Sequence, residues 1–121
     1  LRELCWINLG VSRTKNNMNK LLKIIQNDID KLQKNPLLNI LEKIQIDQKI
    51  KLNEPNRRSL NLLLDLQNRQ QTTLILLKAC LFRRESRGGH YRDDFPVKDR
   101  EWECHTRQKI NQKIQKRFIK N

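Results

Sequence analysis

At 121 residues the chain is long enough for one modest core and too short for a nucleotide-binding sheet plus a substrate domain, which excludes a self-sufficient dinucleotide enzyme. A net charge of +13 suits a polyanion, yet Arg107, Lys109, Lys113, Lys116, Arg117 and Lys120 all follow Glu103, the last acid, and leave only +7 on the rest. With Ala79 the one alanine amid abundant Lys, Asn and Ile, the charge reads as compositional drift on a solvated surface, with a basic nucleic-acid-binding helical module as the alternative.

Leu1 to Leu9 reads as the end of a helix, with Leu4, Cys5 and Leu9 on one face and Gly10 as the stop. Trp6 either packs on the same body or faces a remainder of the protein. Thr14 is the expected N-cap of a second helix, over about 13–34. In it Met18, Leu22, Ile25, Ile29 and Leu32 step by four, three, four and three. Leu21 and Ile24 widen this stripe, which requires a partner helix.

Asn35-Pro36 ends that helix and opens a shorter companion over about 36–46, because proline is tolerated at a first helical position. Between 44 and 55 the pattern changes. Ile44, Ile46, Ile50 and Leu52 fall at even positions as in a strand, but a lone strand has nothing to pair with, so a frayed helix end and a loop are expected.

Asn53-Glu54-Pro55 marks the start of the longest helix, expected over about 56–87 and spanning roughly 45–50 Å. Leu60, Leu63, Leu64, Leu74, Leu77 and Leu81 define one side, and Leu62, Leu66, Leu76 and Cys80 widen it, so more than one neighbour must cover it. The polar waist Gln67-Asn68-Arg69-Gln70-Gln71 is a solvent-facing turn or a site of bending. Arg83 and Arg84 complement the negative pole of the helix dipole. Beyond it, Asp99 is positioned to cap a short turn containing Trp102, and Ile110, Ile114 and Phe118 lie four apart, as on one side of a helix. The expected fold is all-α, a three-helix bundle of the spectrin-repeat kind, with a C-terminal loop and a basic tail at 107–121.

The stretch that is not generic runs from Phe82 to Thr106. It breaks at Gly88-Gly89, where left-handed backbone angles cost little, then packs charges of both signs, two histidines and several aromatics into a short loop of the kind that carries function. Arg84-Glu85-Ser86-Arg87-Gly88, His90, Arg92, Asp94-Phe95-Pro96, Asp99, Trp102 and His105-Thr106 occur in one order at close spacing. Together they resemble the C-terminal helical domain of the fumarate reductase, succinate dehydrogenase and L-aspartate oxidase flavoprotein family. Gly89-His90-Tyr91-Arg92 is similar to the L-aspartate oxidase branch, and Arg2-Glu3-Leu4-x-Trp6 with Gly10-Val11-x-Arg13 to the start of the same domain. The resemblance covers roughly 1–14 and 74–106.

It implies that residues 1–106 are the C-terminal domain of a longer flavoprotein oxidase, as the start at Leu1 without Met also suggests. The family's activity would be FAD-dependent oxidation of L-aspartate to iminoaspartate in NAD biosynthesis, with FAD and substrate held by upstream flavin and capping domains of the same chain. On that view the domain holds no catalytic, cofactor-binding or metal residue and is inactive alone. The alternative within the family is a succinate dehydrogenase or fumarate reductase flavoprotein subunit.

The residues proposed for docking and for the loop network are Arg84, Glu85, Arg87, Gly88, His90, Arg92, Asp94, Trp102 and His105. Glu85, Arg84, Arg87, His90, Arg92, Asp93 and Asp94 can make an acid/base or anion site, since arginine forks bind carboxylates in two-toothed fashion. The competing account is a salt-bridge network that fixes the loop after the long helix, and it is preferred. Two histidines fifteen apart beside Cys104 match no closed metal spacing. Trp102, Phe95 and Tyr91 are expected to wedge the loop on the bundle rather than stack on a base or flavin. Cys5, Cys80 and Cys104 are odd in number and show no Cys-x-x-Cys, which points to a reducing, cytoplasmic setting. No apolar run nears the eighteen or so residues of a membrane span.

Overall fold

A computed structural model describes residues 1–45, 49–109 and 112–118. The chain is mostly helical. Helix α1 is Arg2–Leu9, α2 is Lys15–Gln33, α3 is Pro36–Glu42 and α4 is Glu54–Phe82. Each helix after the first begins where a local side chain satisfies its free amides. Thr14 accepts from the Asn17 amide at 3.2 Å, Asn35 from Leu37 at 3.0 Å ahead of Pro36, and Asn53 from Asn56 at 3.0 Å.

Short strands complete a chain that is otherwise helical, as expected. Strand β1 (Ser12–Arg13) runs parallel to β2 (Tyr91–Arg92), with Ser12 opposite Tyr91 and Arg13 opposite Arg92. A 3-10 turn at Arg100–Trp102 then leads into β3 (Cys104–Arg107), which pairs antiparallel with β4 (Gln115–Phe118). The spacing in the tail predicts a helical side. Instead Gln115–Phe118 form a strand, in which backbone pairing with β3 replaces helical bonds and Lys116 is brought onto Trp102. Ile46 and Ile110, which belong to the expected patterns, lie outside the described residues.

The core sits between α1, α2 and the C-terminal half of α4. It comprises Leu9, Met18, Leu21, Ile25, Ile29, Leu77 and Cys80, edged by Leu4, Cys5, Leu22, Leu74 and Leu81. Leu21 rather than Leu22 is the innermost of its pair. Burial of each large aliphatic chain here contributes about 1.5–3 kcal/mol. Since α2 departs from the loop after α4 and α4 arrives at it, the two run antiparallel.

Three helix boundaries differ from expectation. Helix α3 stops at Glu42, short of 46. Helix α4 stops at Phe82, short of 87, because Arg83 is already extended and residues beyond it turn inward. Gly10 does end α1, but with φ −67° rather than a left-handed angle. Glycine is required there by close approach, since a Cβ would stand 2.3 Å from the Trp6 carbonyl oxygen. The polar waist does not interrupt α4, which is continuous, and it does not face water throughout, since Gln70 is buried. Leu62 and Leu76, in contrast, are exposed.

Candidate functional site

At the end of α4 the chain folds into a compact polar corner built around two buried charges. Glu85 is fully buried. Its carboxylate accepts from Arg83, from Arg87 Nε at 3.0 and 3.1 Å, and from the Asp99 amide at 3.0 Å. Burial pushes this carboxyl up, but the hydrogen bonds from Arg87, the Asp99 amide and Arg83, together with the Arg83 charge, outweigh it and bring its pKa down to about 2.

Arg92 is the second buried charge, 1 % exposed. Its Nη1 donates to the carbonyls of Cys80 at 2.9 Å and Arg83 at 3.1 Å, which α4 leaves free at its C-terminus. Its other edge grips Asp94 with two bonds of 2.7 and 2.6 Å. Asp94 in turn accepts from the Lys15 amide at 3.0 Å, the first residue of α2. Thus a cation sits at the negative pole of α4, an anion at the positive pole of α2, and the ion pair between them joins the two helix ends. The bond to Arg92, opposed by burial and aided by the Lys15 amide, holds the Asp94 carboxyl below its ordinary range.

The backbone between these charges is held by Ser86 and a tight turn. Ser86 Oγ accepts from the Arg92 amide at 2.8 Å and donates to the Phe95 carbonyl at 2.8 Å. Arg87 and His90 exchange backbone bonds of 2.8 and 3.1 Å across Gly88-Gly89. Gly88 has φ +56°, a conformation that other residues adopt only with strain, whereas Gly89 does not share it. Arg13 completes this side, donating to the Leu9 carbonyl at 3.2 Å and the Gly89 carbonyl at 3.1 Å.

Trp102 closes the other side. The Asp99 side chain accepts from the Glu101 amide at 2.9 Å and caps the turn that carries it, as expected. The indole is buried, stands edge-on to Phe82 with centroids 5.3 Å apart, and is covered by Lys116 Nζ at 3.9 Å from its centroid. Arg83 donates to the carbonyls of Trp102 and Cys104.

Of the residues singled out in the sequence, Glu85, Arg87, Gly88, Arg92, Asp94 and Trp102 come together in this corner. His90 joins it through its backbone. Its ring is half-buried, Nε2 has no hydrogen-bond partner among the described residues, and burial lowers its pKa, with a bond to the Arg83 backbone opposing. Arg84 and His105 are exposed and stand outside. Arg83, Ser86, Asp99 and Arg13 are further members that the sequence pattern does not single out as docking residues. The position of Arg83 suits the dipole of its own helix, but its guanidinium turns to Glu85, and Arg92 serves that dipole from nine residues on. Among the described residues no three His, Cys, Asp or Glu side chains could hold a metal ion, and no helix is long and apolar enough to cross a membrane.

The corner's chemistry is that of a brace. Arg83 and Arg92 are committed to Glu85, Asp94 and backbone carbonyls, and Arg87, one-third exposed, gives its Nε to Glu85. The family model described as fumarate reductase flavoprotein C-term matches residues 1–120. An L-aspartate oxidase of Synechocystis sp. is 32% identical over 107 residues, which are 88% of this chain and 19% of that protein. An L-aspartate oxidase of Nostoc sp. is 26% identical over 88% of this chain and 18% of its own length. A fumarate reductase (CoM/CoB) polypeptide of Methanothermobacter marburgensis is 28% identical over 98% of this chain and 19% of its own length. The chain therefore spans about a fifth of the length of these curated relatives. No solved structure matches it significantly. The family match over nearly the whole chain shows that it belongs to the family of fumarate reductase flavoprotein C-terminal regions.

Proposed function

We propose that this chain is the C-terminal helical domain of an L-aspartate oxidase and that its work is structural, with residues 1–106 forming the domain and 107–121 a basic extension. The parent enzyme would oxidise L-aspartate to iminoaspartate in NAD biosynthesis, in the cytoplasm, with FAD as hydride acceptor. The observation that carries this reading is the 32% identity to the Synechocystis L-aspartate oxidase across most of the chain.

The guanidiniums of Arg83 and Arg92, which could otherwise meet the diphosphate of FAD, are engaged within the corner, and this supports placing the cofactor elsewhere. Cofactor and substrate are accordingly assigned to upstream flavin and capping domains of the same polypeptide, and the domain alone to an inactive state. Within it α1, α2 and α4 act as a bundle, and the corner braces that bundle for docking, with Arg84 and His105 exposed outside it.

A second reading is favoured by the fumarate reductase relative, which covers 98% of this chain. In that case the parent is a succinate dehydrogenase or fumarate reductase flavoprotein subunit. The polypeptide that carries this chain, purified with its flavin, separates the two. Bleaching of the flavin by L-aspartate and not by succinate is expected; bleaching by succinate alone rejects the oxidase.

A further inference from the structure

We infer that the open groove beside α1, and not the arginine corner, is the surface on which an upstream part of the same polypeptide docks; this rests on the reading of the chain as a C-terminal domain. Helix α1 turns Leu4, Cys5 and Leu9 to the core and leaves Trp6 71% exposed. Val11, just past the helix, is 74% exposed, and Leu76 on α4 is 53% exposed. These three line one groove of about 1050 Å³, with Leu9 also in its wall and Arg13 and Gly89 at its edge. Scattered exposed apolar residues are ordinary, but a tryptophan, a valine and a leucine on one concave surface are not. Tryptophan is also the side chain that most often anchors a protein interface.

The corner cannot take that part with its own charges, since Glu85, Arg92 and Asp94 are satisfied within the domain. It contributes at one remove. The bond from Arg13 to the Gly89 carbonyl fixes the rim of the groove to the turn at Gly88. Leu62, Leu66 and Leu76, the flank of α4 that calls for a further neighbour, remain exposed as well.

Two observations select the occupant. The matched relatives are about five times as long as this chain, and the family is a C-terminal one, so their additional length precedes the matched part and arrives at α1, the helix that carries Trp6. A partner on the same chain binds at high effective concentration, and a modest groove then suffices. A second copy of this domain on the same face would bring +13 against +13, and repulsion between like charges opposes that pairing.

Hydroxyl-radical footprinting of the intact polypeptide tests this, combined with lysine cross-linking of a mixture of isotope-labelled and unlabelled protein. Trp6 should be oxidised about tenfold more slowly than a solvent-exposed tryptophan, near the rate of Trp102, as befits an interface core. Cross-links from Lys15 should reach upstream residues of the same copy. Oxidation of Trp6 at the exposed rate overturns the inference, and so do cross-links from Lys15 to a second copy. The substrate assay is a separate readout: flavin bleached only by succinate with Trp6 protected rejects the oxidase and keeps the docking face, whereas bleaching by aspartate with Trp6 reactive does the reverse.

Discussion

Removing a carboxylate from water as completely as Glu85 is removed costs several kcal/mol, and only close, multiple donors repay it. Two arginines and the Asp99 amide do so here, and the folded carboxyl titrates at about 2 against an ordinary 4.5. Because the folded state holds this proton more weakly than the unfolded state, the bridge contributes fully above about pH 4.5 and fades as pH falls toward 2. Glu85→Gln should lower stability at pH 7 by about 3 kcal/mol, since it leaves two guanidiniums near a neutral amide. Urea unfolding of wild type and variant at pH 7 and pH 3 checks this: the gap should shrink at pH 3, and an equal gap at both would contradict the assignment. Much at this scale is legible in the sequence, because Glu85, Arg87, Arg92 and Asp94 stand in a recognisable order. The direction of Arg83 is not, because a charge near a helix end satisfies the dipole rule whichever way it turns.

Helix starts are legible for a local reason: Thr14, Asn35, Asn53 and Asp99 bond to amides two or three residues on, within reach of any sequence reading. The strands are not. Strands β1 and β2 have two residues each and are brought together from opposite ends of the chain, so no alternation could announce them. In the tail, Ile114 and Phe118 stand at helical spacing, yet β3 supplies a backbone partner and the strand prevails. At the end of α4, Gly88 is the obvious stop in the sequence, whereas Arg92 has drawn off the last carbonyls several residues earlier. The β3–β4 hairpin has a consequence of its own. Deleting residues 108–121 should uncover Trp102, shift its fluorescence to the red and cost about 1 kcal/mol from the lost Lys116 contact. A Trp6→Phe background isolates this signal; unchanged emission would show that the hairpin does not shield the ring.

For the molecule as a whole, what matters is that α2 leaves and α4 arrives at the same corner, so one ion pair governs both. Arg92 and Asp94 are two residues apart in sequence but join helix ends that belong to opposite halves of the chain. The groove beside α1 inherits its shape from this, because Arg13, paired in register with Arg92, carries its rim. Replacing Arg92 with lysine keeps the charge but cannot serve two carbonyls and both oxygens of Asp94 at once. Hydrogen exchange of the Lys15 amide in Arg92→Lys is the most direct test of this coupling. Protection at Lys15 should fall together with that of the last turn of α4, whereas full protection at Lys15 beside a frayed α4 would contradict a brace that joins the two helices.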